Sequence, residues 1–190
     1  MPRSLESVLR VGLIRVYSGS YRRHRPSIEV VKEVANINRK LNLDLIIGPE
    51  WSLMNRCENE GPYSHEELKD LIRYFNNATA GTKTLFIPGT VVVATKSRNI
   101  YNMLLAFNNG RVVYSTIKNT NGGTDAFDKE DIYNLILDKG NHRFKFNGYR
   151  IGVEICSDSD SLFYSETDPV DIQLLISCGV RTTRLTVGSA

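Results

Sequence analysis

The order of its apolar segments is what most constrains the fold of this chain. Strand and helix patterns alternate from Arg10 to Phe75, and closely spaced strands follow. Arg10–Val16 is a short β-rich run. Behind Ser27, a good N-cap, Val30, Val31, Val34, Ile37 and Leu41 recur at helical spacing. Leu43–Ile47 is a second apolar strand, halted by Gly48-Pro49. Ser64 and Glu67 have capping-box spacing, and Leu68, Leu71, Ile72 and Phe75 form the stripe of the helix they open. From Leu85 the pattern changes to strands at Leu85–Pro88, Thr90–Thr95, Tyr101–Phe107 and Arg111–Ile117. Asn108-Asn109-Gly110 is a hairpin turn between the last two. Phe144–Phe146, a turn at Asn147-Gly148 and Tyr149–Ile155 form a further hairpin, and Ile172–Ser177 is one more buried strand. A β-α-β-α opening followed by hairpins predicts an α/β layered domain with a mixed sheet and helices on its outer faces.

At 190 residues the chain can bury one substantial core, and no repeat, low-complexity stretch or linker divides it. A single domain over residues 1–190 is expected. Hydrophobic content of 41% and charged content of 24% are those of an ordinary globular protein, and the net charge of +3 is small. The basic cluster Arg22, Arg23, His24 and Arg25 has no aromatic platform beside it, so a solvated loop is expected there and nucleic acid is not an expected partner. Met1–Ser7 lacks the apolar stretch of a signal peptide, and no window approaches the ~18 apolar residues of a membrane span. Cys57, Cys156 and Cys178 are odd in number and widely spaced, which fits neither a disulfide framework nor a zinc pattern. A reducing cytoplasm is the expected location. His24, His65 and His142 form no metal-ligand pair, so no metal or other cofactor is expected.

Reactive groups in layered α/β folds gather where strands finish. Three strand ends carry them here: Glu50 after Leu45–Pro49, Lys118 after Val112–Ile117, and Cys156 after Ile151–Ile155. The carboxylate can take the thiol proton as sulfur attacks an sp or sp² carbon, and return it to a leaving amine. The ammonium can favour the thiolate and stabilise the charge of a tetrahedral intermediate, with the backbone N–H of Ser157 as a second oxyanion donor. Each residue alone also has a plain structural reading. Glu50 can be a turn carboxylate, Lys118 a solvated strand-end lysine, and Cys156 a small buried hydrophobe. Cys178 also follows a strand, but it lacks a Cys-X-Asp setting and reads as a packing or loop residue.

Gly48-Pro-Glu-Trp51 after an apolar strand, Arg98-Asn-Ile-Tyr-Asn102 leading through Gly110 to Lys118, and Gly152-Val-Glu-Ile-Cys-Ser-Asp158 resemble, in order and spacing, the nitrilase superfamily of carbon–nitrogen hydrolases. Asp171–Ser177 is similar to the aspartate and apolar strand that follow in that family, and the resemblance runs from about residue 10 to residue 178. It implies a nitrilase-like α-β-β-α sandwich with mixed sheets and a Glu50, Lys118, Cys156 triad. It also implies a small-molecule amide or nitrile substrate, with amides favoured because amide hydrolysis is the commoner activity of the family. Many members place an auxiliary glutamate between lysine and cysteine. Glu130 is the candidate here, with Asp128 as its rival.

Two departures accompany the resemblance. After Asp158 the sequence Ser159–Pro169 lacks the family's Phe-Pro-Glu-like turn, which implies a rebuilt wall on the substrate side. The sequence stops at Ala190, where the family's domain continues with a helix and several strands. A sandwich incomplete at its C-terminus is therefore expected, with a homo-oligomer partner covering the open sheet. The competing expectation is a catalytically inactive binding or assembly protein on the same fold.

Overall fold

The computed structural model describes residues 9–14, 27–53, 62–120, 134–137, 142–160 and 169–177. The first sheet contains β1 (Val11–Leu13), β2 (Leu45–Ile47), β3 (Leu85–Ile87), β4 (Thr90–Ala94), β5 (Asn99–Asn108), β6 (Arg111–Ile117) and β7 (Asn134–Leu135). The second contains β8 (Arg143–Phe146), β9 (Tyr149–Ile155) and β10 (Ile172–Ile176). Helices α1 (Ser27–Leu41) and α2 (His65–Thr79) join β1 to β2 and β2 to β3, and those three strands are parallel.

The long strand β5 organises the first sheet. Along one edge it pairs antiparallel with β3 (Phe86 opposite Phe107) and β4 (Thr90 opposite Leu104). Its other edge takes β6 and β7. Because β5 runs against both β3 and β6, the carboxyl ends of β2, β3 and β6 lie at one end of the sheet. The β5–β6 and β8–β9 hairpins turn through two residues with positive φ, Asn109-Gly110 (48° and 77°) and Asn147-Gly148 (47° and 79°). That geometry matches strand twist and suits Asn-Gly. In the second sheet β9 is parallel to β10 and antiparallel to β8.

Strand alternation divides the core in two. Met103, Leu105 and Phe107 of β5 face the helices, whereas Leu104 and Ala106 face the second sheet. Phe75 of α2 lies 5.7 Å from Phe86 and 5.3 Å from Phe107, ring centre to ring centre, and so holds the helix on the cross-strand pair. Between the sheets, Leu85, Ile87, Leu104 and Ala106 meet Ile151, Val153, Ile155, Leu174 and Ile176. The Tyr114 ring stacks on Phe144 at 4.3 Å, and burial pushes its phenol up to about 12. Helices, first sheet and second sheet thus form successive layers among the described residues. The expected helical layer over the outside of the second sheet falls outside the described residues.

The expected elements are present, with one change of face. Ile37 and Leu41 of the α1 stripe are exposed, while Ile28, Val31, Ala35 and Asn38 carry the buried side. In α2 the capping box forms as expected. The Ser64 hydroxyl accepts from Glu67 N at 3.3 Å, and the Glu67 carboxylate accepts from Ser64 N at 2.7 Å. Phe75→Ala is expected to lower the free energy of unfolding by about 3–5 kcal/mol. Leu41→Ala, at an exposed position, is expected to change it by less than about 0.5 kcal/mol. Denaturant titration of the two variants checks the assignment of the buried face.

Candidate active site

The turn that carries Glu50 is locked against the turn that follows β3. Gly48 N donates to Ile87 O at 2.7 Å, which continues the β2–β3 ladder past its last strand residue. A Cβ on Gly48 would collide with the Pro88 carbonyl, and one on Gly89 (φ 109°) would collide with Ser52 Oγ and Pro49 O. Glycine is required at both places by close approach, and at Gly89 by conformation as well. The Ser52 hydroxyl donates to Pro88 O, and Trp51 N donates to Thr90 Oγ1 at 2.9 Å. Trp51 itself sits at φ 59°, and Ser52 N closes the turn onto Pro49 O at 3.3 Å. Glu50 is thereby turned inward and is 3% exposed.

Lys118 follows β6 at the same end of the sheet. Its backbone N donates to Asn102 O at 2.8 Å, so the β5–β6 pairing extends by one residue and fixes the direction of the side chain. Lys118 Nζ donates to Glu50 Oε1 at 3.0 Å, and both side chains are buried, at 1% and 0% exposure. Asn102 Nδ2 donates to the same carboxylate oxygen at 3.0 Å. Asn102 therefore holds both members of the pair, one through its main chain and one through its amide.

Cys156 begins a short 3-10 helix, Cys156–Asp160, where β9 ends. Its φ is 51°, in the left-handed region that a non-glycine residue adopts at a cost of roughly 1–3 kcal/mol. The turn lifts the half-buried thiol out of the sheet. Burial pushes the thiol above its ordinary range, and a hydrogen bond with Ser177 opposes this. Glu50 adds to the rise by its charge and by hydrogen bonding, whereas Lys118 lowers it. The carboxylate, the ammonium and the Ser177 hydroxyl thus all bear on one sulfur, at the ends of β2, β6, β9 and β10. Ser157 comes next, and its hydroxyl lies 2.8 Å from Thr120 Oγ1 and donates to Thr120 O at 3.3 Å.

Glu50, Lys118, Cys156 and Ser157 are therefore neighbours. Glu130 and Asp128 lie outside the described residues, as do Cys57, Cys178 and Arg22 to Arg25. The sequence reading quoted Asn102 and Asp158 within its motifs and Ser177 as a strand end, but gave none of them a part in the site. For Asn102 there was a further signal, an amide near the start of the apolar run Tyr101–Phe107. Glu154, one residue before Ile155, is 1% exposed and accepts from Gln173 Nε2 at 2.8 Å. Its carboxyl is raised by burial and by the charge of Asp158, against the Gln173 bond. Among the described residues no group of three or more His, Cys, Asp or Glu side chains could hold a metal ion, and no helix is long and apolar enough to cross a membrane. An apolar cavity of about 140 Å³, lined by Leu45, Leu85, Phe146, Tyr149, Ile151 and Ile172 among others, opens at the opposite end of the sandwich and holds none of these groups.

No protein-family model and no curated protein sequence matches the chain. Solved structures do match. A carbon–nitrogen hydrolase from Helicobacter pylori G27 has a TM-score of 0.64 at 15% identity, over 89% of this chain and 59% of that one. An amidase from Nesterenkonia sp. has a TM-score of 0.68 at 11% identity, over 92% and 67%. Saccharomyces cerevisiae Nit3, a member of branch 10 of the nitrilase superfamily, has a TM-score of 0.60 at 16% identity, over 92% and 66%. The chain thus spans 59 to 67% of the length of these proteins. At such identities the likeness speaks to architecture alone, and the layered helix, sheet and sheet arrangement of the described residues is that of the nitrilase fold.

Proposed function

We propose that the chain is a carbon–nitrogen hydrolase of the amidase type, with Cys156 as nucleophile, Glu50 as general base and Lys118 as the stabiliser of the intermediate. The observation that carries this reading is the buried Lys118–Glu50 pair at 3.0 Å, set beside a thiol in a left-handed turn. Burying two charges is costly, and replacing such a pair by apolar residues is often neutral or favourable for folding. A buried pair kept at a strand end beside a thiol is better explained by chemistry than by stability. The raised thiol fits a base-assisted attack, in which sulfur bonds to the amide carbon as its proton passes to Glu50. Lys118 and the Ser157 N–H would stabilise the oxyanion. Collapse breaks the C–N bond, and the amine leaves with the proton held on Glu50. Water then gives a proton to Glu50 as its oxygen attacks the thioester. The carboxylic acid is released, and the proton returns to sulfur.

The Nesterenkonia amidase, as an E41L mutant, takes the acetamide moiety of fluoroacetamide on its active-site cysteine. The same probe is expected to add one acetamide moiety to this protein, at Cys156, as read by intact-mass and peptide spectrometry. Turnover of simple aliphatic amides, followed as released ammonia, is expected to vanish in Cys156→Ala. It is expected to fall about 10²–10⁴-fold in Glu50→Gln and about 10²–10³-fold in Lys118→Met. A folded Cys156→Ala protein with undiminished turnover would falsify the reading. Wild-type protein inert to every amide and nitrile, with Cys156 unlabelled, would instead favour a binding or assembly role on the same fold.

Asn102→Ala removes a hydrogen bond to a buried carboxylate, an interaction of about 1.5–3 kcal/mol. A fall in kcat of about 10- to 100-fold with little change in KM is expected, since the amide aligns the base without meeting substrate. A change confined to KM would assign Asn102 to substrate binding instead.

A further inference from the structure

Asp158 lies two residues beyond the thiol and is fully buried at 0% exposure. Most of its hydrogen bonds leave its own turn and cross to the first sheet. Asn119 N donates to both carboxylate oxygens, at 3.0 Å to Oδ1 and 3.1 Å to Oδ2. Thr120 N donates to Oδ1 at 2.7 Å, and the Thr120 hydroxyl donates to the same oxygen at 2.9 Å. On the second sheet, Ile155 N donates to Oδ2 at 3.3 Å. One carboxylate therefore grips the two residues immediately after Lys118 and the residue immediately before Cys156. Every one of these partners is a donor, so the site requires an acceptor on both oxygens. An amide in its place would set its NH₂ against backbone N–H groups.

We propose that Asp158 is a positioning residue that fixes the Lys118 loop of one sheet against the Cys156 turn of the other, and so sets the distance between ammonium and sulfur. This rests on the reading of Cys156 as nucleophile and Lys118 as its electrostatic partner. A carboxylate that merely capped its own turn would need only the Ile155 bond. The bonds to Asn119 and Thr120 do nothing for that turn, but they stop the two sheets sliding apart at the end where the reactive groups meet. Charge-assisted bonds of this kind are roughly twice as strong as neutral ones, which suits a brace that must hold sub-ångström alignment.

The test uses the 190-residue chain carrying Cys57→Ser and Cys178→Ser, so that Cys156 is its single thiol. The rate of its alkylation by iodoacetamide is followed against pH by intact mass, beside circular dichroism and thermal melting, for wild type, Asp158→Asn and Thr120→Val. The groups that bear on the thiol are Glu50 after β2, Lys118 after β6 and Ser177 after β10. Two effects of Asp158→Asn have opposite signs. Loss of a negative charge alone would lower the pH midpoint of alkylation, whereas displacement of Lys118 raises it. A midpoint raised by about one unit is expected, with kcat towards amides down about a hundredfold and KM nearly unchanged. Thr120→Val keeps the carboxylate and removes one donor, and it is expected to shift both readings the same way by less. A lowered or unchanged midpoint in folded Asp158→Asn, with only the melting temperature reduced, overturns the proposal. So does a wild-type midpoint in Thr120→Val, whether or not Asp158→Asn folds. Alkylation needs no turnover, so absence of amidase activity would sink the hydrolase reading while the midpoints still decide the role of Asp158.

Discussion

The ion pair between Lys118 and Glu50 is the interaction around which the reactive end of this molecule is built. Two charges removed from water need close geometry and further hydrogen bonds if they are to stay ionised and in place. The fold supplies both. The Gly48 and Gly89 turns interlock so tightly that a single Cβ would part them, and this aims Glu50 inward. The register of β5 and β6 continues one residue past the strand and aims Lys118 at it. Asn102 then bonds to each. All of these devices belong to one sheet and the turns at its end, so the pair is oriented by backbone pairing together with side-chain bonds between adjoining turns.

Cys156 comes to the pair from the second sheet, in a backbone conformation that its side chain disfavours. A left-handed residue at a strand end is stable only where its surroundings over-determine it. Here the β9–β10 ladder holds one side and the Asp158 carboxylate binds Ile155 N on the other. The raised thiol is a consequence of the same placement. Partial burial disfavours a standing thiolate, and the adjacent carboxylate disfavours it further. In the proposed attack the thiol proton would pass to the neighbouring carboxylate.

Much of this was legible in the sequence, for identifiable reasons. The hairpins at Asn109-Gly110 and Asn147-Gly148 and the capping box at Ser64 are local chemistry, and they form where their residues say. The strand-end positions of Glu50, Lys118 and Cys156 were legible because each comes where an apolar run gives way to polar or turn-forming residues. Other features depend on tertiary context. The buried face of α1 includes Asn38, a polar residue that no apolar pattern would place inside, while Ile37 and Leu41 lie outward. Hairpin signals disclose which strands pair, but not that β8, β9 and β10 leave the first sheet to form a second. The positive φ of Cys156 has no residue signature at all, because cysteine is not a residue of left-handed turns. The part played by Asn102 is visible only once β5 is known to lie between β4 and β6.

The stacking of the sheets has a consequence for how such a site can be tuned. Carboxylate and ammonium ride on one sheet and sulfur on the other, and Leu104, Ala106, Val153 and Ile155 lie in the apolar core between the sheets. The thickness of that apolar filling acts as a shim. Adding or removing a methylene at Ala106 or Ile155 moves sulfur relative to the pair, while the pair keeps its own geometry. The spacing of thiol and ion pair in this architecture is therefore set by aliphatic residues away from all three groups, so substitutions that look like ordinary core packing can change it.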